Sequence, residues 1–188
     1  MAVIQYKNAL SKDSSKLYLY DEMGRVYSKL KLYDKAAEMY HVSFSNKKNP
    51  LPSDYLQLGR SYYFAGNMQT DTTARIKYLN LADSLFAKVT SLSPNSYQGY
   101  FWRARTNSLL DPETTAGLAK PYYEKALESF IANPTKFQKE TIEVYSYLGF
   151  YYFIKEDYQT SKSYWKKIFE IDPSNSKALE ALKGMDKF

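Results

Sequence analysis

The chain has 188 residues, of which 44% are hydrophobic and 24% are charged, a composition typical of folded proteins that excludes a disordered chain. It contains no Cys, a single His and 20 Tyr, and its formal net charge is +6. The lack of Cys excludes disulfide frameworks, thiolate zinc sites and Cys nucleophiles. The Lys and Arg residues are dispersed and interleaved with acids, which argues against a DNA-binding stripe.

The first predicted helix covers residues 2–14. Ala2, Tyr6 and Ala9 are spaced by four and three residues, so they share one face of a helix. This amino-terminal segment has no charged region followed by a long apolar one, and we therefore predict no signal peptide. Every apolar run in the chain is far shorter than the roughly 20 residues of a transmembrane helix, so we predict no membrane span.

Three later segments share one skeleton, in which an aromatic residue is followed by Leu or Met, then Gly, then Tyr. The copies are Tyr20, Met23, Gly24 and Tyr27; Tyr55, Leu58, Gly59 and Tyr62; and Tyr145, Leu148, Gly149 and Tyr152. Spacings of three, four and seven residues place each set on one helix face. Since Gly costs about 1 kcal/mol relative to Ala inside a helix, these glycines predict a close approach of a second helix.

A second predicted helix follows each skeleton. It carries a small residue, then a large aromatic residue, then a small or β-branched one. The sets are Ala36, Tyr40 and Ser43; Ala82, Phe86 and Val89; and Ser161, Trp165 and Ile168. Pro94 and Pro173 follow the last two sets, where they would end the helices. The sequence thus indicates a chain of helix pairs.

This pattern resembles the tetratricopeptide repeat (TPR), a helix–turn–helix unit of about 34 residues. The resemblance implies an all-α, right-handed superhelix (an α-solenoid) of antiparallel helix pairs, forming a single array over residues 1–188. Its predicted parts are 2–14, the second helix of a truncated repeat; 17–50, repeat 1; 52–96, repeat 2 with an insertion near 68–78; 97–133, a degenerate repeat 3; 136–175, repeat 4 with an extended first helix; and 176–188, a C-terminal capping helix.

Three details of this assignment carry further expectations. In repeat 3, Arg103 and Asn107 stand where the family has Leu and Tyr, so helix packing is least regular there. The capping helix is expected to start at an N-capping Ser or Asn. Because residues 2–14 match only a second helix, we expect the chain to be a fragment of a longer array, and its Lys-, Asn- and Tyr-rich composition indicates a bacterial origin.

TPR proteins bind partner peptides or proteins in a concave groove, which the resemblance places along the first helices. The groove residues implied here are the cations Arg25, Arg60 and Arg105 and the apolar side chains Leu56, Tyr63, Phe101, Phe150 and Phe153. Because Arg binds carboxylates in a bidentate manner, we expect an acidic peptide that also carries apolar anchors. The alternative is internal pairing, with Asp21 four residues before Arg25 and with acids of neighbouring helices for the other two.

No motif for catalysis, a cofactor or a metal ion is present. His41, the single histidine, has no Ser or carboxylate at a motif spacing and is expected to be a surface or half-buried residue. The resemblance therefore predicts a non-enzymatic protein–protein interaction scaffold. An RNA-binding helical repeat, as in the related pentatricopeptide arrays, and an accessory domain of a larger enzyme or assembly are the alternatives. A groove of Arg and hydrophobic residues disfavours the RNA-binding alternative.

One family specialisation is not expected. Chaperone-binding members hold two carboxylates in a clamp of Lys, Asn and Arg, whereas the corresponding positions here are Asp21, Arg25, Gln57, Gln98 and Trp102. The sequence does not assign the partner, the oligomeric state or the compartment, for which a bacterial cytoplasm and the cell envelope both stay open.

Overall fold

The computed structural model describes residues 2–13 and 15–185, which form ten α-helices and no β-strand. The helices are α1 (Ala2–Lys12), α2 (Tyr18–Lys29), α3 (Tyr33–Ser45), α4 (Pro52–Met68), α5 (Thr72–Leu92), α6 (Tyr97–Leu110), α7 (Lys120–Ile131), α8 (Gln138–Ile154), α9 (Tyr158–Ile171) and α10 (Ser176–Met185). The prediction of an all-α fold is confirmed. Met1, Ser14 and residues 186–188 lie outside the described residues, so the ends of the predicted segments 2–14 and 176–188 do too.

The chain divides into two compact units, Met1–Leu109 and Leu110–Phe188, which we call unit 1 and unit 2. Unit 1 contains α1 to α5 and nearly all of α6, and unit 2 contains α7 to α10. The repeat pattern predicts one array over residues 1–188 and gives no sign of this division.

Each skeleton glycine lies under the large aromatic ring of the following helix. The pairs are Gly24 with Tyr40, Gly59 with Phe86, and Gly149 with Trp165, where an added Cβ would lie 2.7, 2.6 and 2.8 Å from the nearest ring atom. These separations leave no room for a methyl group, so the predicted close helix approach is confirmed. The two partners are 16 residues apart in the first and third pairs and 27 apart in the second.

The extra length in the second pair extends its helices. α4 has 17 residues and α5 has 21, and only residues 69–71 connect them. The Asp71 carboxylate caps α5 by accepting a 2.7 Å hydrogen bond from the Ala74 N–H. The segment predicted as an insertion, 68–78, therefore supplies the end of α4, a short turn and the first turns of α5.

Two features fix the helices of unit 2. Before α7, the buried Asp111 carboxylate accepts hydrogen bonds from the backbone N–H groups of Ala116 at 3.3 Å and Gly117 at 2.7 Å. Gly117 has φ +69°, and a Cβ there would lie 2.5 Å from the ring of Tyr151, so this turn requires glycine. At α10, the Asn175 side chain accepts a 3.1 Å hydrogen bond from the Ala178 N–H, which confirms the predicted N-cap.

Candidate functional site

A cavity of about 490 Å³ lies in unit 1 where α2, α3 and α4 meet. Its polar lining consists of Arg25, Ser28, Ser53, Gln57, Arg60 and Ser61, and its apolar and aromatic lining of Tyr33, Tyr40, Leu56 and Phe64. Three of the eight residues predicted for the groove, Arg25, Leu56 and Arg60, thus share one cavity. Guanidinium groups and hydroxyls beside an apolar wall suit an anionic group attached to a hydrophobic segment.

Arg25 pairs with a different acid from the one predicted. Its guanidinium lies 3.6 Å from the carboxylate of Glu22, and its side chain is 62% exposed. Asp21, the expected partner, instead lies 3.7 Å from Lys47, which also binds Asp54. Burial opposes charge on Lys47, but these two carboxylates outweigh it and raise the pKa of the ammonium. The Asp21–Arg25 pair, which was the alternative to ligand binding, is therefore not formed, and the internal partner of Arg25 is Glu22 in a weak, exposed pair.

Arg60 is exposed and makes no ion pair within the part of the chain that the structure describes. Its guanidinium carbon lies 4.9 Å from the ring centroid of Trp102 on α6. Arg105 approaches the same indole at 5.0 Å and the ring of Phe101 at 4.3 Å. Arg60 and Arg105 thus contact aromatic rings, an arrangement that the repeat pattern does not predict.

The three apolar residues predicted for the groove in unit 1 differ in how accessible their side chains are. Phe101 is only 4% exposed, with Arg105 against its ring, so its side chain offers almost no surface to a partner. Tyr63 is half-buried and packs edge-on against Phe64 and Trp102, with ring centroids 5.2 and 5.3 Å apart. Leu56 is the one of these three that lines the cavity.

The irregular residues of repeat 3 form a polar cluster between α5 and α6. The Arg103 guanidinium makes two hydrogen bonds of 3.0 Å to the Asp83 carboxylate, and the Asn107 amide donates another at 2.7 Å. Arg103 and Asp83 are both about one-fifth exposed. Arg103 and Asn107 therefore replace the family's apolar Leu and Tyr with a charged contact to the previous helix.

Unit 2 contains a cavity of a different kind. It has a volume of about 260 Å³ and an entirely apolar surface, lined by Phe150 and Phe153 of α8, Trp165 of α9, and Ala181, Gly184 and Met185 of α10. Phe150 and Phe153, both predicted groove residues, are 40% and 37% exposed. Phe153 also makes an edge-on contact with Tyr158, at a centroid distance of 5.5 Å. These two rings come together at a site without charge.

The positive charge of the chain resides in unit 1. Residues 1–109 contain 15 Lys and Arg against 8 Asp and Glu, and residues 110–188 contain 11 against 12. The net charges are therefore +7 and −1, which agree with the total of +6. The arginine-lined cavity lies in the basic unit and the apolar cavity in the nearly neutral one.

Other kinds of site find no support in the described residues. None of the helices there combines the length and the apolar character that a bilayer span requires. The same residues contain no group of three or more His, Asp or Glu placed to hold a metal ion. His41 is exposed, and its Nδ1 lies 2.9 Å from the Tyr62 hydroxyl, an arrangement typical of a surface histidine.

No family model matches the sequence, and no curated protein sequence matches it either. The fold is similar to solved structures. Over 96% of its length the chain resembles the C-terminal part of a TPR repeat-containing protein from Cytophaga hutchinsonii, with 34% identity and a TM-score of 0.79. The chain has the tetratricopeptide-repeat fold. It spans 65% of the length of the Cytophaga structure.

Two further TPR structures share the fold at lower identity. YrrB is 19% identical, with a TM-score of 0.68 over 96% of this chain and 81% of its own. MamA from Desulfovibrio magneticus is 20% identical, with a TM-score of 0.67 over 92% of this chain and 84% of its own. The bacterial sources of the Cytophaga and Desulfovibrio proteins are consistent with the bacterial origin that the composition indicates.

Proposed function

We propose that this TPR protein is a non-catalytic interaction scaffold whose unit 1 cavity binds an acidic segment of a partner protein. The observation that carries the proposal is that two exposed arginines from different helices, Arg25 on α2 and Arg60 on α4, line one cavity of about 490 Å³. Neither is held by a strong internal ion pair among the described residues. An acidic side chain is the simplest ligand that would satisfy both.

The surroundings of the two arginines favour a peptide over a free anion. Leu56 and Phe64 give the cavity an apolar wall, on which a hydrophobic side chain next to the acid would pack. The charge of +7 in unit 1 would also steer an acidic partner to it, and this attraction would weaken as salt is added. YrrB, which shares the fold, has an unusual peptide-binding site, so peptide binding is compatible with this architecture.

The apolar cavity of unit 2 is proposed as a second contact with the partner. Phe150 and Phe153 are large, exposed rings beside a cavity without polar lining, and such groups act as anchors in many protein interfaces. Hydrophobic side chains of the partner are the groups that would fill it. The proposal thus assigns acid recognition to unit 1 and apolar recognition to unit 2.

The proposal is tested by fluorescence anisotropy with a labelled peptide in which glutamates flank one phenylalanine. We expect saturable binding that weakens with salt, and no binding of the matching lysine peptide. The double variant Arg25→Glu and Arg60→Glu should lower the affinity by roughly tenfold or more, because each lost charged hydrogen bond is worth about 1.5–3 kcal/mol. Helicity and melting temperature should stay unchanged, since both side chains are exposed.

The control is the double variant Lys77→Glu and Lys88→Glu, which changes the net charge equally on the exposed surface of α5, away from the cavity. An equal loss of affinity in both double variants would mean that the peptide is attracted by the net charge of the chain and not by the cavity. Binding of single-stranded RNA in place of acidic peptides would favour the RNA-binding alternative.

A further inference from the structure

The cluster around Trp102 brings two cations to one indole ring. The guanidinium carbons of Arg60, on α4, and Arg105, on α6, lie 4.9 and 5.0 Å from its centroid. Since both distances start at the same ring, the two guanidinium carbons are at most about 9.9 Å apart. At this separation or less the two charges are not fully screened from each other at physiological salt, where the Debye length is about 8 Å, so positive charge is concentrated around the ring.

The indole is held in place by other rings. Trp102 stacks on Phe86, which is fully buried, at a centroid distance of 5.8 Å. It also meets Tyr63 edge-on at 5.3 Å and Phe64 at 5.9 Å. Rings from α4 and α5 therefore restrict the rotamer of Trp102. The fixed ring in turn limits the positions that the two guanidinium groups can take while they contact it.

Stacking on an aromatic ring suits a guanidinium that also binds an anion. The group presents its face to the ring, while its N–H donors point outward in its own plane. A flexible exposed Arg loses side-chain entropy when it binds, and one already resting on an indole loses less. Trp102 would thus raise the affinity of Arg60 for an oxyanion without touching that oxyanion.

The acid on the neighbouring helix does not neutralise Arg60. Asp83 of α5 is bound by Arg103 and Asn107 at 2.7–3.0 Å. Arg60 itself forms no ion pair with any residue that the structure describes. Arg60 therefore carries a positive charge that no carboxylate of the described residues compensates.

We propose that Trp102 is a positioning residue that holds Arg60, together with Arg105, in a preorganised oxyanion subsite for one acidic group of the partner. The subsite rests on the proposed function, because it places one carboxylate of the acidic segment beside Trp102. A phosphate on the partner has the same chemistry with a higher charge, and the subsite would bind it more tightly than a carboxylate.

The indole supplies its own signal for the test. The chain has only two tryptophans, so in the variant Trp165→Phe all tryptophan emission comes from Trp102. Because Trp165 lines the unit 2 cavity, the affinity of this variant is first compared with that of the native chain by anisotropy. Three labelled peptides are titrated into this variant, carrying glutamate, phosphoserine or glutamine at one position. We expect the first two to change the Trp102 emission with the same midpoint as their anisotropy, the phosphoserine peptide at the lower concentration. The glutamine peptide should bind more weakly.

Two further variants separate positioning from a merely structural role. Trp102→Leu removes the ring and should weaken glutamate-peptide binding about tenfold, whereas Trp102→Phe keeps an aromatic face and should stay within about threefold. Arg60→Gln should weaken binding in the native chain but add little in Trp102→Leu, because the two residues act together. If Trp102→Leu does not fold, the emission titration and the Trp102→Phe and Arg60→Gln variants still test the subsite.

The outcomes distinguish the two proposals. Peptide binding by anisotropy with unchanged Trp102 emission, or with additive effects of Trp102→Leu and Arg60→Gln, would overturn the subsite and leave the proposed function standing. No binding of the glutamate peptide to the native chain would remove the proposed function and the subsite with it.

Discussion

Unit 1 and unit 2 are built on the same internal contact and present different cavities. In both, a helical glycine lies directly under a large ring of the next helix, as in Gly59 with Phe86 and Gly149 with Trp165. The residue after each skeleton glycine differs: Arg25 and Arg60 in unit 1, and Phe150 in unit 2. These residues line the polar cavity of unit 1 and the apolar cavity of unit 2.

The comparison shows which positions of a helix pair are fixed by packing and which are exposed. The glycine and the ring are buried and must keep their size, whereas the next position along the helix points away from that contact and is free to change its chemistry. A change from Arg to Phe there alters the charge and lining of a cavity without altering the helix pair. Under the proposed function, the partner specificity of each unit depends on few exposed residues on a shared framework.

The largest difference between the units is expected at high pH. Tyr147 of unit 2 is 8% exposed, and its hydroxyl finds no hydrogen-bond partner among the described residues. Burial raises the pKa of Tyr147 to about 12, and the nearby Asp111 carboxylate acts in the same direction. Since the unfolded chain loses this proton near pH 10, the contribution of Tyr147 is complete below pH 10 and is lost as the pH rises to about 12.

The expected loss is on the order of 2–3 kcal/mol of unfolding free energy between these pH values. Tyr147→Phe should remove this pH dependence and be neutral or slightly stabilising at pH 7, because no hydrogen bond is lost. Urea denaturation followed by circular dichroism measures both effects. Tyr18→Phe, at an exposed site of unit 1, is the control. If the Tyr147→Phe curve keeps the native slope above pH 10, the buried hydroxyl is not its source.

Glycine-to-alanine substitutions test whether the contact between the skeleton glycine and the ring of the next helix is equally close in both units. Gly59→Ala and Gly149→Ala each place a methyl group less than 3.0 Å from a buried ring. Overpacking costs about 1–3 kcal/mol, against a gain of about 1 kcal/mol in helix propensity, so we expect net losses of up to about 2 kcal/mol in each unit. Gly184→Ala, where nothing lies within 4 Å of the added Cβ, is the control and should be stabilising or neutral.

These three variants are compared by their melting temperatures. A loss at Gly59 with none at Gly149 would show that the Trp165 ring moves aside in unit 2 and that the two frameworks differ. A loss at Gly184 as large as at the other two would mean that the close contact is not the cause.

The framework was predictable from the sequence because its determinants are local and periodic. The spacing of Gly24, Gly59 and Gly149 within the skeleton predicts a close helix contact, and the structure confirms it. The N-cap of α10 follows equally from a short-range preference, and Asn175 confirms it. Such features depend on neighbours three or four residues away, which the sequence shows directly.

The details of the candidate site were harder to predict because they depend on side chains from different helices. Arg25 pairs with Glu22, whereas Asp21 pairs with Lys47, which lies in the connection between α3 and α4. Asp83 and Arg103 are 20 residues apart in the sequence. The repeat pattern therefore shows that Arg103 replaces the Leu of the family but does not predict its ion pair with Asp83. The contact between Trp102 and Arg105 was predictable from the sequence, because Arg105 follows Trp102 by three residues on one helix face. The contact between Trp102 and Arg60 joins two different helices, so it is visible only in the folded structure.

The smallest expected effect tests whether the charge around the unit 1 cavity matters. Glu22→Gln removes the exposed partner of Arg25, a pair worth at most a few tenths of a kcal/mol, so the unfolding free energy should hardly change. The freed guanidinium should bind the glutamate peptide up to about threefold more tightly, because the site loses one negative charge. Glu180→Gln makes the same charge change on the exposed surface of α10 in unit 2 and is the control. Anisotropy at low and high salt measures both variants. Equal tightening in the two would mean that the partner senses the net charge of the chain and not the arginines of the unit 1 cavity, and the division of recognition between the units would then be lost.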